Sequence, residues 1–292
     1  MNNINIVDFK PMKGYWFTSF LLEKIWRTRG CIKTTLDLGV TWSEVCVDDS
    51  EIRIGETIID LSLVAPREID RVVYYGGEDL VYEVIKSDEK GWFYKLKAIG
   101  LDRAPTLEIN GIHMHRIKGV DPWTDSRLKV EAAKIREGDK VLDTCMGLGY
   151  TAILSGLRGA KMVYTVEIDE NVIWVARHNP WSRGLENDNI HVVHGDIKDV
   201  IKEFPDNFFD KIIHDPPRYT HITGDLYGLG LYKELYRVLK PGGRLFHYTG
   251  EPRRHGAPSI LKGIAERLRK AGFYPVFYHR RVQGFVAKKP LI

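Results

Sequence analysis

The chain has few cysteines, almost no glutamine and no long apolar segment. Its three cysteines, Cys31, Cys46 and Cys145, are widely spaced in 292 residues, and their odd number argues against a disulfide framework or a paired-cysteine metal site. We expect them to be buried small side chains. No run reaches the roughly eighteen apolar residues of a membrane span, and no charged-then-apolar leader is visible, so we expect a cytoplasmic protein without membrane association. Gln283 is the only glutamine, whereas Lys, Arg and Glu are plentiful, as in proteins from high-temperature sources.

The formal charge of +4 is unevenly distributed. Residues 1–120 hold 16 Lys and Arg against 18 Asp and Glu, a net −2, and the remainder holds 27 against 21, a net +6. The last 42 residues alone hold 10 against 2 and include Arg253 and Arg254. This excess could attract a polyanion such as RNA, and Arg253 and Arg254 are candidate substrate-binding residues. The alternative is an ordinary solvated basic surface.

The chain is organised around residues 140–150, which combine a short apolar segment with a glycine-rich turn. Residues 141–142 are predicted to form a buried strand with Asp143 at its carboxyl end. Gly147 and Gly149 let the backbone turn tightly before a helix predicted over 151–157. A ligand can approach such a backbone closely, as at the first βα turn of a doubly wound sheet. An ordinary tight turn is the alternative.

Two further acids follow predicted strands. The strand over 161–166 leads to Glu167, and an acid there commonly binds the two hydroxyls of a ribose. The strand over 190–193 leads to Asp196, which could lie beside an adenine amino group. No Gly-Lys-Ser/Thr follows the turn, and three acids would repel a triphosphate, so a positively charged nucleoside fits better than a phosphate cradle.

These motifs resemble the class I S-adenosylmethionine-dependent methyltransferases, although Cys145 stands where that family usually has glycine. The sequence Leu-Lys-Pro-Gly-Gly over 239–243 is frequent at this place in the family, and the resemblance covers residues from about 120 to 292. It implies S-adenosylmethionine as the cofactor and a Rossmann-like fold with a seven-stranded, mostly parallel sheet. The implied cofactor site comprises Asp143, Cys145, Met146, Gly147, Gly149, Tyr150, Glu167, Ile168, Asp196 and Ile197. Thr124 could also contact the cofactor or could cap a helix.

A second motif, Asp215-Pro216-Pro217-Arg218, follows the strand predicted over 210–214. It resembles the Asp/Asn-Pro-Pro-aromatic motif of methyltransferases that modify an exocyclic amino group of a base. The resemblance implies that Asp215 and the Pro216 carbonyl accept hydrogen bonds from the amine, with the prolines holding the backbone rigid. Arg218 replaces the family's aromatic residue, and either its guanidinium plane or Tyr219 could stack on a base. These four motif residues are the predicted catalytic turn, and Arg218 and Tyr219 are also candidate substrate contacts.

The Asp-Pro-Pro-Arg form is similar to that of a group of archaeal methyltransferases associated with N4 methylation of ribosomal RNA cytidine. The implied partner is therefore RNA, and the implied activity is methylation of an exocyclic amine. Two alternatives stay open: methyl or aminopropyl transfer to a small amine, and a non-catalytic RNA-binding assembly factor with the same fold. The sequence leaves the oligomeric state open.

The remaining sequence suggests two domains, a mostly β accessory domain over 1–118 and a methyltransferase domain over 119–292. A helical pattern over 17–29 is followed by alternating apolar residues typical of antiparallel hairpins, and residues 66–73 suggest a short helix. His113 and His115 share one face of a predicted strand but lack an evident third ligand, so we predict no metal site.

Overall fold

The computed structural model describes residues 4–220, 223–250 and 258–291. The chain divides into two compact units. The N-terminal unit comprises Lys10–Thr124 and Asn171–Gly184, and the C-terminal unit comprises the chain up to Phe9, Asp125–Glu170 and the chain from Leu185 onward. The domain boundary at residue 118 stays a prediction. In the described part of the chain, no helix is long and apolar enough to cross a membrane.

The N-terminal unit is mostly β structure. One sheet has the order β1-β6-β7, and β2–β5 and β8–β11 form two antiparallel meanders. The elements are β1 (Tyr15–Thr18), α1 (Ser19–Trp26), β2 (Gly30–Thr34), β3 (Ser43–Asp48), β4 (Glu51–Ile54), β5 (Thr57–Asp60), β6 (Val72–Tyr75), β7 (Val81–Glu83), β8 (Ile85–Ser87), β9 (Phe93–Lys97), β10 (Thr106–Ile109) and β11 (Ile112–His113). The predicted antiparallel hairpins are confirmed.

Two predicted helices of this unit require correction. The helix expected over 17–29 begins at Ser19, because Phe17 belongs to β1 and the Thr18 hydroxyl caps the helix by accepting from Leu21 N–H. The helix expected over 66–73 is wrong. Val72 and Val73 begin strand β6, which pairs with β1 on one side and β7 on the other and is buried along its whole length. β-branched and aromatic residues favour such a buried strand over a short helix.

The prediction that the cysteines are unpaired is wrong for two of them. Cys31 and Cys46 are directly opposite each other in the β2–β3 hairpin and form a disulfide. The antiparallel register brings together two residues that are 15 apart in sequence. Cys145 is a free thiol. The expectation that the cysteines are buried is also wrong, because Cys31 is exposed and Cys46 and Cys145 are half-buried.

The C-terminal unit is built on one mixed sheet, with seven strands among the described residues in the order β14-β13-β12-β15-β16-β18-β17. The first five of these are mutually parallel, and β18 and β17 are antiparallel additions. The helices and strands from residue 122 onward are α2 (Pro122–Ala133), β12 (Lys140–Asp143), α3 (Tyr150–Leu157), β13 (Met162–Glu167), α4 (Glu170–Arg177), β14 (Ile190–His194), α5 (Ile197–Val200), β15 (Phe209–His214), α6 (Leu229–Val238), β16 (Leu239–Tyr248), α7 (Pro258–Lys270), β17 (Val276–His279) and β18 (Gly284–Lys288). Of these, α4 after Glu170 and the first three residues of α2 belong to the N-terminal unit.

The sheet topology sets the position of the site. Strands β12, β13, β14 and β15 run parallel, so their carboxyl ends meet at one edge of the sheet, and ligands of doubly wound sheets bind at that edge. Most residues in the interior of these strands are buried and apolar, as expected for parallel strands, and the exceptions are Thr165, His191, Asp210 and Lys211. We refer to this edge as the carboxyl edge.

Helix α2 is capped by Asp121 and not by Thr124. Pro122 occupies its first position, and the Asp121 carboxylate accepts from Thr124 N–H at 2.9 Å. Asp125 lies inside the helix and is fully buried.

Candidate active site

The glycine-rich turn joins β12 to α3 and contains two residues in the left-handed region, Gly147 at φ 55° and Gly149 at φ 77°. A Cβ atom at Gly149 would lie 2.6 Å from the Leu185 methyl groups, so both the backbone angle and the packing require glycine there. A Cβ atom at Gly147 would meet no atom within 4 Å. The backbone at Gly147 therefore borders open space that a ligand can occupy.

Asp143 ends β12 and is fully buried. Its Oδ2 accepts hydrogen bonds from the hydroxyls of Thr151 at 3.0 Å and Thr165 at 2.8 Å. Its Oδ1 has no hydrogen-bond partner among the described residues. Burial raises the pKa of Asp143 to about 8, and the negative charge of Asp215 adds to the effect. A buried carboxyl oxygen without a partner is costly, so this atom is suited to a polar group of a bound molecule.

Glu167 ends β13 and folds back onto the turn. Its two carboxylate oxygens accept from Gly147 N–H at 3.0 Å and from Asp169 N–H at 3.1 Å. Burial raises its pKa to about 7. The next side chain, Ile168, is 62% exposed despite being apolar, so an acid and an apolar surface are adjacent in sequence at the carboxyl edge.

Asp196 follows β14, the next strand of the sheet, and serves as the N-cap of α5. Its carboxylate accepts from Lys198 N–H at 2.9 Å, and the Lys198 ammonium lies 3.5 Å from Oδ2. Ile197 is buried, as are Met146 and Tyr150 in the turn, and Cys145 is half-buried. The topology therefore brings Asp143, Glu167 and Asp196 to the ends of three neighbouring strands.

The Asp-Pro-Pro-Arg turn follows β15, the strand on the other side of β12. Oδ2 of Asp215 lies 2.6 Å from the ammonium of Lys129, whose side chain is fully buried. The same ammonium lies 3.2 Å from Asp125 and 4.1 Å from the centre of the Tyr248 ring. The two carboxylates outweigh the effect of burial and hold the pKa of Lys129 above its usual value. Asp215 is thus fixed in position by a buried ion pair.

The rest of the turn is held by backbone contacts. Pro216 is buried and Pro217 is exposed, and the Pro217 carbonyl accepts from the Tyr227 hydroxyl at 2.8 Å. The Arg218 side chain is exposed, and the half-exposed Tyr219 ring packs edge-on against Tyr227 with the ring centres 5.4 Å apart. A flat aromatic surface is therefore present next to the turn.

A buried histidine ties the two turns together. Nε2 of His214 donates to the Leu226 carbonyl at 2.8 Å, and Nδ1 therefore accepts from the Thr144 hydroxyl at 2.6 Å. Burial lowers the pKa of His214 to about 4, so the ring is neutral at pH 7. This contact links the residue after Asp143 to the residue before Asp215.

Three other predicted site residues stay predictions. Arg253 and Arg254 lie outside the described residues. Thr124 belongs to the N-terminal unit, where its backbone is bound to Asp121. Its role as a cofactor contact stays a prediction.

Comparison with known proteins agrees with this geometry. Residues 141–243 match the family model described as "Methyltransferase domain". The C-terminal unit has the class I methyltransferase fold. Its cofactor is S-adenosylmethionine. The residues at the carboxyl edge fit this molecule, because the open space at Gly147, the unpaired Asp143 oxygen and the exposed Ile168 suit a nucleoside that also carries positive charge.

Two curated relatives and one solved structure illustrate the similarity. The chain is 51% identical over 187 residues to an uncharacterized protein of Methanocaldococcus jannaschii, covering 64% of each chain. It is 31% identical over 125 residues to ribosomal RNA large subunit methyltransferase I of Aeromonas hydrophila, covering 40% of this chain and 32% of the relative. The chain thus spans less than two thirds of the length of these relatives. Spermidine synthase from Thermotoga maritima shares the fold at 17% identity and a TM-score of 0.54, covering 76% of this chain and 75% of the synthase.

Sequence reasoning missed Lys129 and Tyr248. Lys129 lies 86 residues before Asp215, in a segment with lysines, arginines and a glutamate that is typical of an exposed helix. A weak signal was present, because Asp125 and Lys129 are spaced for one face of a helix.

Proposed function

We propose that the chain is an S-adenosylmethionine-dependent methyltransferase that modifies an exocyclic amino group of RNA, specifically N4 of cytidine in ribosomal RNA. The observation that carries the proposal is the position of the Asp215-Pro216 turn. It follows β15, the immediate neighbour of the strand that carries the glycine turn. Asp215 and Asp143 are close enough that the charge of Asp215 affects the pKa of Asp143.

When bound, S-adenosylmethionine supplies an electrophilic methyl group on a sulfonium. The Asp215 carboxylate and the Pro216 carbonyl accept hydrogen bonds from the two amine hydrogens. These acceptors localise the nitrogen lone pair, which is otherwise delocalised into the base. The two prolines and the Lys129 ion pair fix the acceptors before the substrate binds, and such preorganisation is a large part of electrostatic catalysis. The amine becomes acidic as it gains the methyl group, so no strong general base is needed.

The Lys129 ion pair favours a neutral amine over a cationic one. The Lys129 ammonium lies 2.6 Å from the Asp215 carboxylate itself, so a second ammonium brought to that carboxylate would face a like charge at close range. An exocyclic base amine is neutral at pH 7 and needs only hydrogen-bond acceptors. This argues against methyl or aminopropyl transfer to a polyamine, which the likeness to spermidine synthase suggests only at the level of fold.

The names of relatives support RNA as the substrate class, since the Aeromonas relative is a ribosomal RNA methyltransferase. The excess of Lys and Arg after residue 120 points the same way. Tyr219 provides an exposed ring beside the turn on which an unstacked base can lie.

The deciding experiment is nucleoside mass spectrometry on unmodified ribosomal and transfer RNA incubated with the protein and methyl-labelled S-adenosylmethionine, with a polyamine mixture in parallel. We expect label in N4-methylated cytidine of ribosomal RNA. Asp215→Ala should abolish the label while cofactor affinity, measured by calorimetry, changes less than threefold. Asp199→Ala, at an exposed acid of the same unit, is the matched control and should keep full activity.

Label only in the polyamine fraction would replace this proposal with small-amine transfer. Cofactor or RNA binding without any label would favour the non-catalytic RNA-binding factor. Loss of both transfer and cofactor binding in Asp215→Ala would mean that Asp215 belongs to the cofactor site.

A further inference from the structure

A groove of about 350 Å³ lies between α2 and the β17–β18 hairpin, apart from the glycine and Asp-Pro-Pro-Arg turns. Its apolar lining includes Leu128, Val286 and Phe277. Phe277 is 45% exposed although it is a large aromatic residue on an edge strand. An exposed ring in a groove is a stacking surface in proteins that bind single-stranded nucleic acid.

The groove is also cationic. Arg244 and Lys134 line it, and among the described residues neither has a carboxylate within ion-pair distance. Arg244 donates to the Ala132 carbonyl at 3.2 Å, and burial together with the charge of Arg136 lowers its pKa. A half-buried guanidinium without an acidic partner is costly, and an anion in the groove would compensate it.

The single acid in the lining described here does not oppose an anion. Glu131 is bound by Arg127 at 2.9 Å and by Arg158 at 3.1 Å, so two guanidinium groups offset its charge. The net charge of the groove lining therefore remains positive.

The groove shares an element with the candidate active site. Leu128 lines the groove, and the next residue, Lys129, contacts Asp215. At the other wall, the Gln283 carbonyl in the hairpin turn accepts from Thr249 N–H at 3.0 Å, directly after Tyr248, which packs on Lys129. The groove and the Asp215 turn are therefore connected through the adjacent α2 residues Leu128 and Lys129.

We propose that this groove binds a single-stranded segment of the RNA substrate, with a phosphate at Arg244 and Lys134 and a base stacked on Phe277. The proposal rests on the proposed function for the identity of the polyanion. A phosphodiester chain satisfies both features of the groove, because it carries an anion and a flat base on every residue.

The test uses the full chain and a fluorescein-labelled single-stranded oligocytidine RNA of about twelve nucleotides, a length within the site sizes of such grooves. Anisotropy titrations at several salt concentrations compare the wild type with Lys134→Gln/Arg244→Gln, with Phe277→Ala and with the control Lys202→Gln, whose lysine is exposed and bound to Asp199. The double variant should bind at least tenfold more weakly at low salt and show a shallower salt dependence. Phe277→Ala should weaken binding severalfold without changing the salt dependence, and Lys202→Gln should stay within twofold. Circular dichroism and cofactor affinity should be unchanged in all three.

The RNA-binding role of the groove and the methyltransferase activity can be disproved separately. A wild type that methylates RNA, with groove variants that match it in RNA affinity and salt dependence, would overturn the groove and leave the activity intact. Weakened RNA binding by the groove variants, with no methyl transfer by the wild type, would support the groove and overturn the activity. A wild type without measurable RNA affinity would overturn the groove whatever its activity on other amines.

Discussion

The ammonium of Lys129 lies 2.6 Å from the Asp215 carboxylate, and the lysine side chain is completely buried. A buried charge is tolerated only when it is paired with an opposite charge. Removing one partner of a buried ion pair lowers stability by more than the intact pair adds, because the other charge is left buried without compensation. Lys129 therefore couples the stability of α2 to the position of the Asp-Pro-Pro-Arg turn.

We expect Lys129→Met to lower the free energy of unfolding by about 3–5 kcal/mol, because Asp125 and Asp215 lose their common cation. Without the lysine, the two buried carboxylates are no longer compensated, and the pKa of each carboxyl rises above its value in the unfolded chain. The loss of unfolding free energy is therefore greatest at pH 8, and it shrinks as the pH falls and the two acids become protonated. Urea unfolding at pH 5 and pH 8 measures both effects. Methyl transfer should fall by about 100-fold, within the range for a lost preorganised electrostatic contact.

Lys129→Arg is the matched control, since it keeps the charge but changes the geometry. It should recover most of the stability and only part of the activity. If Lys129→Met and the wild type had equal stability and equal activity, the ion pair would have neither role.

The two glycines of the turn should respond differently to alanine. Gly147→Ala is strained only by its positive φ, and we expect a loss of about 1–2 kcal/mol in stability. Gly149→Ala adds a clash with Leu185, and we expect a total loss of about 2–4 kcal/mol. Because the new methyl of Gly147→Ala points into open space, this variant should lose cofactor affinity out of proportion to its stability. Calorimetric titration with S-adenosylmethionine tests this prediction under conditions where the variant and the wild type are folded to the same extent. Equal affinity in Gly147→Ala and the wild type would contradict the placement of the cofactor next to Gly147.

The parts of the site that the sequence predicted depend on local patterns. A short apolar strand, an acid and two spaced glycines mark the turn at Gly147 without any knowledge of distant residues. Glu167 was also predictable from local sequence, because it comes directly after the predicted strand over 161–166. Parallel pairing of β12 and β13 then brings the ends of both strands to the same edge of the sheet. Predicting the two strands locally was therefore enough to predict that Asp143 and Glu167 lie at the same edge.

The errors concern contacts between residues far apart in sequence. Strand β6 looked like a helix because its partners, β1 and β7, are defined only by the folded sheet. The Cys31–Cys46 disulfide depends on the register of one hairpin, which a cysteine count does not reveal. Lys129 looked like an exposed lysine because its burial depends on Asp215 and Tyr248, more than 80 residues away.

Asp143 should make stability depend on pH. Its pKa is about 8 in the folded chain and 3.8 as a model value, so the folded state holds a proton that the unfolded state has released. Between pH 4 and pH 8 this disfavours the folded state by at most about 1.4 kcal/mol per pH unit, and the slope ends above pH 8. Asp143→Asn removes this contribution and can still accept from Thr151 and Thr165. The stability gained by the variant over the wild type should therefore increase from pH 5 to pH 8.

Denaturant unfolding of both proteins at each pH gives this difference, and contributions from other titrating groups cancel. A difference that does not vary with pH would mean that Asp143 is ionised in the folded chain. At pH 9, where the Asp143 carboxyl of the wild type is ionised, the variant should bind S-adenosylmethionine more weakly, because its amide lacks the negative charge that attracts a cation.

The disulfide should stabilise the N-terminal unit. Cys31 and Cys46 are 15 residues apart, and closing a loop of this size corresponds to about 3 kcal/mol in the chain-entropy model. Cys31→Ser/Cys46→Ser should lose this amount in denaturant unfolding, and a reductant should lower the wild type to the level of the double variant without affecting the variant itself. Cys145→Ser is the matched control, because its thiol is free, and it should keep the full response to reductant. Thiol titration of the denatured, unreduced wild type should find one reactive thiol, and three would contradict the pairing.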